Sequence, residues 1–227
     1  MDRKTRLMIA AALVAAAAFW PRRSDASTGA DNSDFVTADD WLAWWNMQDD
    51  SFPDTDPIET SADRLGAFLY MIGAAEVSPS AMQSGLAYQT FYGGSRFYDL
   101  RDHPAATGEK KGVRLPDEWC RRAGLGPGCV STAAGAYQIT LTTWRDVRKT
   151  GSWGPALPDF SPASQDEAAR RILILCGAWP LIETGDFEGA LARAATRWAS
   201  LPGSTAGQGG KTFADVYAYY SGALGVA

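Results

Sequence analysis

Histidine is nearly absent from the 227-residue sequence, and cysteine is scarce. His103 is the single histidine, and none of the three cysteines belongs to a Cys-x-x-Cys pair. Structural and catalytic zinc sites are built largely from clusters of these two residue types. The composition therefore predicts that the protein binds no metal and requires no cofactor.

Positive charge is also sparse. The formal net charge is −5, and no dense cluster of Lys and Arg occurs outside the extreme N-terminus. A nucleic-acid partner requires such a cluster, because binding depends on neutralising phosphates and releasing their counterions. Nucleic acid is therefore not expected as a partner. The hydrophobic content of 46% is that of a folded chain, and the length accommodates one catalytic domain with appendages.

The N-terminus has the order of a secretory leader. Arg3, Lys4 and Arg6 precede an uncharged run over Leu7–Trp20, which is too short to span a bilayer comfortably. Two arginines that follow this run disfavour clean translocation of that end. We therefore expect a signal peptide or a retained signal-anchor over residues 1–26. The protein would be exported, either to the periplasm or to the periplasmic face of the inner membrane, which the segment contacts at least transiently.

A linker with a short Trp-rich helix is predicted over residues 27–60. Thr37 and Asp40 form a candidate capping pair, and three tryptophans then follow at i, i+3, i+4 spacing: Trp41, Trp44 and Trp45. A catalytic domain is expected over residues 61–227. Within it, Ser161-Pro162 predicts the start of a helix that reaches Cys176.

Two more helices and a hairpin complete the expected domain. Asp186 caps a helix that should continue to Leu201-Pro202-Gly203, and a last helix should begin near Thr212. Gly93-Gly94 with the alternation around Phe97 and Tyr98 indicates a small hairpin or sheet. Trp144 and Trp198 lie on helical apolar stripes and are assigned to the core.

The helix predicted from Thr60 places a carboxylate on its apolar side. A capping pair, Thr60 and Asp63, precedes a stripe formed by Leu65, Phe68, Leu69 and Ile72. Glu76 lies on the same stripe near the negative end of the helix dipole, and both burial and the dipole should raise its pKa. These residues make Glu76 a candidate general acid. The alternative is a Glu76 side chain turned to solvent at a fraying helix end.

The cysteines predict one disulfide. Cys120 and Cys129 lie close together in a Gly- and Pro-containing loop, where an oxidising compartment would favour a bond between them. Cys176 lies in an apolar helical stretch and is expected to be a buried thiol.

Several blocks of the sequence resemble, in the same order, the phage lambda lysozyme family, endolysins that are lytic transglycosylases. The first block is the helix that ends at Glu76. The later blocks are Gly93–Phe97, Asp102–Pro104, Gly135–Ile139 ahead of Trp144, Asp159–Asp166, Gly185–Asp186 and Trp198–Gly203. They extend from about Arg64 to Tyr220, so the resemblance covers most of the chain.

The resemblance implies a lysozyme-like α+β domain, mainly helical with a small antiparallel sheet, and Glu76 as the sole catalytic residue. The residues assigned to glycan binding are Ser78, Tyr137, Gln138 and Gln165. The alternatives are that Tyr137 packs in the core, that Gln138 ties down backbone, and that Gln165 and Asp166 cap a helix. Two departures from the family pattern, Val77 and Ala136, bear on glycan contacts. An insertion around residues 118–130 carries the cysteine pair on one lip of the implied cleft.

The implied reaction is cleavage of the β-1,4 bond between N-acetylmuramic acid and N-acetylglucosamine, with a 1,6-anhydro product, during lysis or remodelling of the cell wall. The expected partner is the peptidoglycan glycan strand, and the expected state is a monomer. Asp99 and Asp102 keep a hydrolytic muramidase open as an alternative. A Cys-His peptidoglycan amidase using His103 is another, although His103 beside Pro104 is better explained as a structural hydrogen-bonding group. A non-catalytic glycan-binding protein is the third.

Overall fold

The structure is a computed structural model, and it describes residues 60–122, 124–204 and 210–225. The leader predicted over residues 1–26 lies outside the described residues, as does the Trp-rich linker over residues 27–60 except for Thr60. No helix in the described ranges is both long and apolar enough to cross a membrane.

The described part of the chain is mainly helical, with one small sheet. Its elements in chain order are α1 Ser61–Glu76, α2 Pro79–Gln83, α3 Pro104–Thr107, β1 Val113–Arg114, α4 Asp117–Arg122, β2 Val130–Ser131, α5 Leu141–Val147, α6 Pro162–Leu175, α7 Trp179–Thr184, α8 Phe187–Ala194 and α9 Phe213–Leu224. A 3-10 turn at Leu86–Gln89 follows α2. Strands β1 and β2 pair antiparallel, so the predicted α+β class is confirmed.

Helix α1 begins where the capping pair predicts. The Thr60 Oγ1 accepts a hydrogen bond of 3.2 Å from the Asp63 N–H, and the Asp63 carboxylate accepts one of 3.0 Å from the Thr60 N–H. These bonds satisfy donors that the first turn leaves without intrahelical partners. The helix ends at Glu76, because Val77 is its C-cap residue.

The buried face of α1 lies in the centre of the core. The Phe68 side chain is 1% exposed, and its ring meets the rings of Phe187 and Tyr220 edge-on, with centroids 6.0 and 6.2 Å away. Trp144 and Trp198 are 0% and 4% exposed, which confirms their assignment to the core. Because close-packed interiors resist displacement, α1 holds its C-terminal residue on a rigid support.

The later helix starts also follow the predicted caps. Side-chain oxygens of Ser161, Asp186 and Thr212 each accept a hydrogen bond from a backbone N–H in the first turn of the helix that follows. The helix after Asp186 is shorter than predicted. It ends at Ala194, and Trp198 lies in the turn beyond it, because the chain there folds back onto the core through that indole.

The hairpin predicted around Gly93-Gly94 is present and short. Thr90 and Arg96 form an antiparallel bridge between its two arms, and the Phe97 N–H donates to the Gln89 carbonyl oxygen at 3.0 Å. The N–H of Tyr98 donates to the Glu109 carboxylate at 2.9 Å instead of to a partner strand, so the ladder stops. The two-stranded sheet is the β1–β2 pair, which lies later in the chain.

The predicted disulfide is present. Cys120 and Cys129 are bonded, and they close the loop that connects α4 to β2. Cys176 differs from expectation, because its side chain is only partly buried. It follows the last residue of α6, where the helix emerges toward solvent and Leu175 is 42% exposed.

Candidate active site

The carboxyl group of Glu76 lies at the C-terminal end of α1 and is half-buried. Its Oε1 accepts a hydrogen bond of 2.6 Å from the Ser200 hydroxyl and a longer one of 3.4 Å from the Ser200 N–H. Burial raises the pKa of Glu76 above its ordinary value, and the two bonds from Ser200, which favour the ionised form, offset part of that rise. A carboxyl group that keeps its proton to higher pH is suited to general acid catalysis.

Ser200 is held in place by the segment around it. Two residues before it, the Trp198 indole N–H donates to the Tyr137 carbonyl oxygen at 3.0 Å. Leu201 is 1% exposed, and the Lys211 N–H donates to the Ser200 carbonyl oxygen at 2.7 Å. Sequence analysis missed Ser200, because it lies 124 positions from Glu76. The available signal was its place in the Trp198–Gly203 block, which resembles the lambda lysozyme family.

Ser78 lies two residues after Glu76 and is the N-cap residue of α2. Its hydroxyl oxygen accepts a hydrogen bond of 3.1 Å from the Ala81 N–H and lies 3.2 Å from the Ser80 hydroxyl. The structure thus places Ser78 beside the C-terminal end of α1, in a capping position. The glycan contact assigned to it stays a prediction.

Tyr137 and Gln138 are adjacent but differ in exposure. Tyr137 is 1% exposed and packs in the core, whereas Gln138 is half-buried. The Gln138 side-chain amide donates to the carbonyl oxygens of Thr90 and Gly135 at 3.1 and 3.0 Å. Its φ of 45° is left-handed, a strained backbone state that is common at functional sites. Tyr137 therefore packs in the core and Gln138 holds two backbone segments together, as the alternatives stated. Of the two residues, only Gln138 has an exposed part that a glycan could contact.

Gln165 is not on the surface, which corrects its assignment to glycan binding. Its side chain is 0% exposed, its Oε1 accepts from the Ala136 N–H at 3.0 Å, and its Nε2 donates to the carbonyl oxygens of Tyr88 and Phe160, each at 2.9 Å. One buried amide thus joins three backbone segments. Gly135 makes room for it, because a Cβ at this position would collide with the Gln165 side chain and the φ of 77° disfavours other residues.

Asp166 does not cap α6 but binds two phenols. Its Oδ1 accepts hydrogen bonds from the hydroxyls of Tyr88 and Tyr137 at 2.8 and 2.6 Å. Burial raises the pKa of Asp166, although both bonds oppose the rise. Burial and the neighbouring carboxylate raise the pKa of Tyr88 to about 12, so both phenols stay protonated donors. This cluster connects the turn after α2 with the segment that contains Tyr137.

Asp99 and Asp102 are the carboxylates on which the alternative of a two-acid hydrolase depended. Both form ion pairs and hydrogen bonds within the protein. Asp99 pairs with Arg101 at 2.7 Å, and hydrogen bonds from that side chain and its N–H lower the pKa of Asp99 to about 2. Asp102 pairs with Arg148 at 2.5 Å and accepts from the Trp144 indole N–H at 2.7 Å. Burial raises the pKa of Asp102, but these donors outweigh it and keep the group ionised.

His103 is a structural hydrogen-bonding group. It is 0% exposed, its Nε2 lies 2.9 Å from the Ile139 carbonyl oxygen, and its Nδ1 accepts from the Ala105 N–H at 3.2 Å. Burial lowers the pKa of His103. Both ring nitrogens are used in backbone contacts, so neither is available to activate the remaining thiol, Cys176. Over the described ranges, no three His, Cys, Asp or Glu side chains are grouped as a metal site.

The fold is that of a lysozyme-like protein. The chain is similar to a solved structure of bacteriophage lambda lysozyme complexed with a chitohexasaccharide, with a TM-score of 0.57 and 31% sequence identity. The alignment covers 76% of this chain and 97% of that protein.

The particular family is given by the sequence. The family model described as Endolysin matches residues 66–227, well over half of the chain, so the protein belongs to the endolysin family. It is 35% identical to the endolysin of Escherichia phage lambda over 63% of this chain and 79% of that protein. It is 34% identical to the endolysin of Escherichia phage P2 over 67% of this chain and 87% of that protein. The protein is therefore a lysozyme-like, peptidoglycan-degrading enzyme.

Proposed function

We propose that the protein is a peptidoglycan lytic transglycosylase that cleaves the β-1,4 bond between N-acetylmuramic acid and N-acetylglucosamine, with Glu76 as its single catalytic carboxyl group. The observation that carries this proposal is the half-buried Glu76 carboxyl group, whose pKa is raised by burial. Among the described residues, Ser200 is the only one that donates a hydrogen bond to this group. Such a group can hold a proton before cleavage and accept one afterwards.

The reaction has two half-steps at one carboxyl group. Protonated Glu76 gives its proton to the bridging oxygen as the bond from that oxygen to the anomeric carbon breaks, which leaves an oxocarbenium-like centre. The 6-hydroxyl oxygen of the muramyl residue then bonds to the anomeric carbon, and its proton passes to the Glu76 carboxylate. The product is the 1,6-anhydro sugar, and Glu76 is again protonated. Ser200 donates to Oε1 and stabilises the ionised form between the two half-steps.

A hydrolytic muramidase is the closest alternative, because water could replace the 6-hydroxyl group. Retaining and inverting hydrolases of the usual kind place a second carboxylate across the sugar from the acid. Asp99 and Asp102 serve ion pairs with Arg101 and Arg148 instead. This engagement supports the substrate hydroxyl as the nucleophile.

Mass spectrometry of digested peptidoglycan tests the mechanism. We expect 1,6-anhydro muropeptides from the wild-type protein and none above background from Glu76→Gln. Glu183→Gln is a matched control, because Glu183 also has a pKa raised by burial yet makes no contact with Ser200. Reducing-end products would overturn transglycosylation, and a fully active Glu76→Gln enzyme would overturn the assigned acid. Loss of activity on thiol alkylation would favour the amidase.

The substrate contacts are proposed to come from Ser78 and the exposed part of Gln138, with Tyr137 behind them as support. Because the related lambda lysozyme structure contains a chitohexasaccharide, that oligosaccharide is a suitable soluble probe. We expect Gln138→Ala to raise the KM for peptidoglycan more than it lowers kcat, since Gln138 is proposed to bind the glycan and not to take part in the proton transfers.

Export is proposed from the N-terminal sequence. The leader over residues 1–26 would take the protein through the inner membrane to the periplasm or hold it on that face, where it acts as a monomer. The Cys120–Cys129 disulfide supports an oxidising compartment. Cell fractionation, N-terminal sequencing and light scattering test these statements, and a reduced protein confined to the cytoplasm would contradict them.

A further inference from the structure

We propose that Asp166 is a positioning residue for glycan cleavage, which acts on Glu76 through Tyr137 and the Ser200 segment. The proposal rests on the proposed function, in which Glu76 is the catalytic acid. Within the described residues, Asp166 makes no hydrogen bond to Glu76, so its effect passes through the groups between them.

The first link is the shared carboxylate oxygen. Both phenol hydroxyls, from Tyr88 and Tyr137, donate to Oδ1 of Asp166, and the two rings pack edge to face with centroids 6.3 Å apart. The adjacent residue, Gln165, bonds the Tyr88 carbonyl oxygen and the Ala136 N–H. The first turn of α6 therefore fixes both the ring and the backbone of the Tyr137 segment.

The second link runs from Tyr137 to the acid. The carbonyl oxygen of Tyr137 accepts the indole N–H of Trp198 at 3.0 Å, in a contact that is fully buried. Trp198 lies two residues before Ser200, whose hydroxyl donates to Glu76 at 2.6 Å. A displacement of Tyr137 would therefore move the residue that sets the geometry and the ionisation of the catalytic carboxyl.

The burial of Asp166 and its lack of a cationic partner among the described residues favour a role in the active site over a role in stabilising the fold. Burial penalises its charge, and over the described ranges no Lys or Arg pairs with it. A partly buried carboxylate without a cation destabilises the fold once it is ionised. Carboxylates perturbed in this way concentrate at functional sites.

Among the described residues, Ser200 is the group whose hydrogen bonds lower the pKa of Glu76. Charged residues on the helices packed against α1 include Arg170 on α6, Glu183 on α7 and Asp215 on α9. None of them contributes to the pKa of Glu76, which is set by burial and by the two Ser200 bonds. Loosening the Ser200 segment should therefore raise the pKa of Glu76.

The test measures the pKa of Glu76 by NMR in the full chain with isotope-labelled glutamate side chains, and Glu76→Gln identifies the signal. We expect Asp166→Ala and Tyr137→Phe each to raise this pKa by about half a unit or more. In a double-mutant cycle, Asp166→Ala should add little once Ser200→Ala is present, because the 2.6 Å hydroxyl bond through which it mainly acts is already lost. Asp166→Asn keeps an oxygen acceptor and should restore most of the wild-type value.

The kinetic readout is peptidoglycan turnover at temperatures where each variant is folded. We expect kcat to fall about tenfold or more in Asp166→Ala with little change in KM, as for a misplaced catalytic group. Glu167→Gln is the matched control. Glu167 is the next residue of α6 and pairs with Arg170 and Arg171, so its loss should lower Tm yet leave the pKa of Glu76 unchanged.

An unchanged pKa of Glu76 in both Asp166→Ala and Tyr137→Phe overturns the proposal, and so do fully additive effects in the cycle. Tyr137→Phe removes one hydroxyl and keeps the ring, so it decides the question alone if Asp166→Ala does not fold. The pKa measurement needs no turnover. A failure of the proposed function, seen as full activity of Glu76→Gln, is therefore distinguishable from a failure of this proposal.

Discussion

Removing the hydroxyl of Ser200 should make Glu76 a weaker acid. In Ser200→Ala the 2.6 Å bond to Oε1 is lost, and the backbone N–H at 3.4 Å is the contact that stays. The lost bond favours the ionised carboxylate, whereas burial, which favours the protonated form, is left in place. The pKa of Glu76 should therefore rise further above its ordinary value.

The size of the rise follows from the bond. Hydrogen bonds to charged groups contribute about 1.5–3 kcal/mol, and the protonated carboxyl keeps part of that interaction. A difference of roughly 1–2 kcal/mol between the two protonation states corresponds to about one pKa unit. The ionised carboxylate formed during cleavage also loses its donor, so the rate on the pH plateau should fall about tenfold.

The assay is the pH dependence of kcat/KM on purified peptidoglycan at constant ionic strength. Its descending alkaline limb reports loss of the Glu76 proton in the free enzyme, and it should move up by about one pH unit in Ser200→Ala. Ser84→Ala is the control, because the Ser84 hydroxyl bonds the Ser80 carbonyl oxygen and should leave the limb in place. If the alkaline limb of Ser200→Ala is unchanged or moves to lower pH, the claim that the Ser200 hydroxyl lowers the pKa of Glu76 is refuted.

Three further outcomes concern stability. Because burial raises the pKa of Glu76 above its ordinary value of 4.5, the stability linked to its protonated form is lost as the pH rises through the folded-state pKa. Glu76→Gln should therefore have the same Tm as the wild type near pH 4 and a higher Tm near pH 8. Equal Tm values at both pH values would contradict the raised pKa. Reducing Cys120–Cys129 should lower the unfolding free energy by about 2–3 kcal/mol in chemical denaturation, and an unchanged value would contradict a stabilising role of the bond. Arg171→Ala should cost about 3–5 kcal/mol, because Arg171 is 1% exposed and pairs with Glu167; a loss under 1 kcal/mol in urea melts would show that the pair is replaceable.

Local signals predicted the beginnings of helices well. The capping residues Thr60, Ser161, Asp186 and Thr212 all accept the first-turn N–H bonds that the sequence implies, because a cap involves neighbours only three positions apart. The disulfide was also predictable, because its two cysteines are only nine positions apart. The place of the hairpin near Gly93 was predictable as well, but its length was not, because the Glu109 carboxylate accepts the Tyr98 N–H that a longer ladder would use.

The candidate site divides in the same way. The sequence by itself determined that Glu76 ends a helix on its apolar side, since helical periodicity fixes the direction of a side chain. The tertiary structure decided what Glu76 meets: Ser200, 124 positions away, which partly offsets the effect of burial on its pKa. It also showed that Gln165, which was expected to bind the glycan at the surface, is buried and joins three backbone segments by hydrogen bonds. Partners that are distant in sequence are brought together by packing, and no local pattern specifies them.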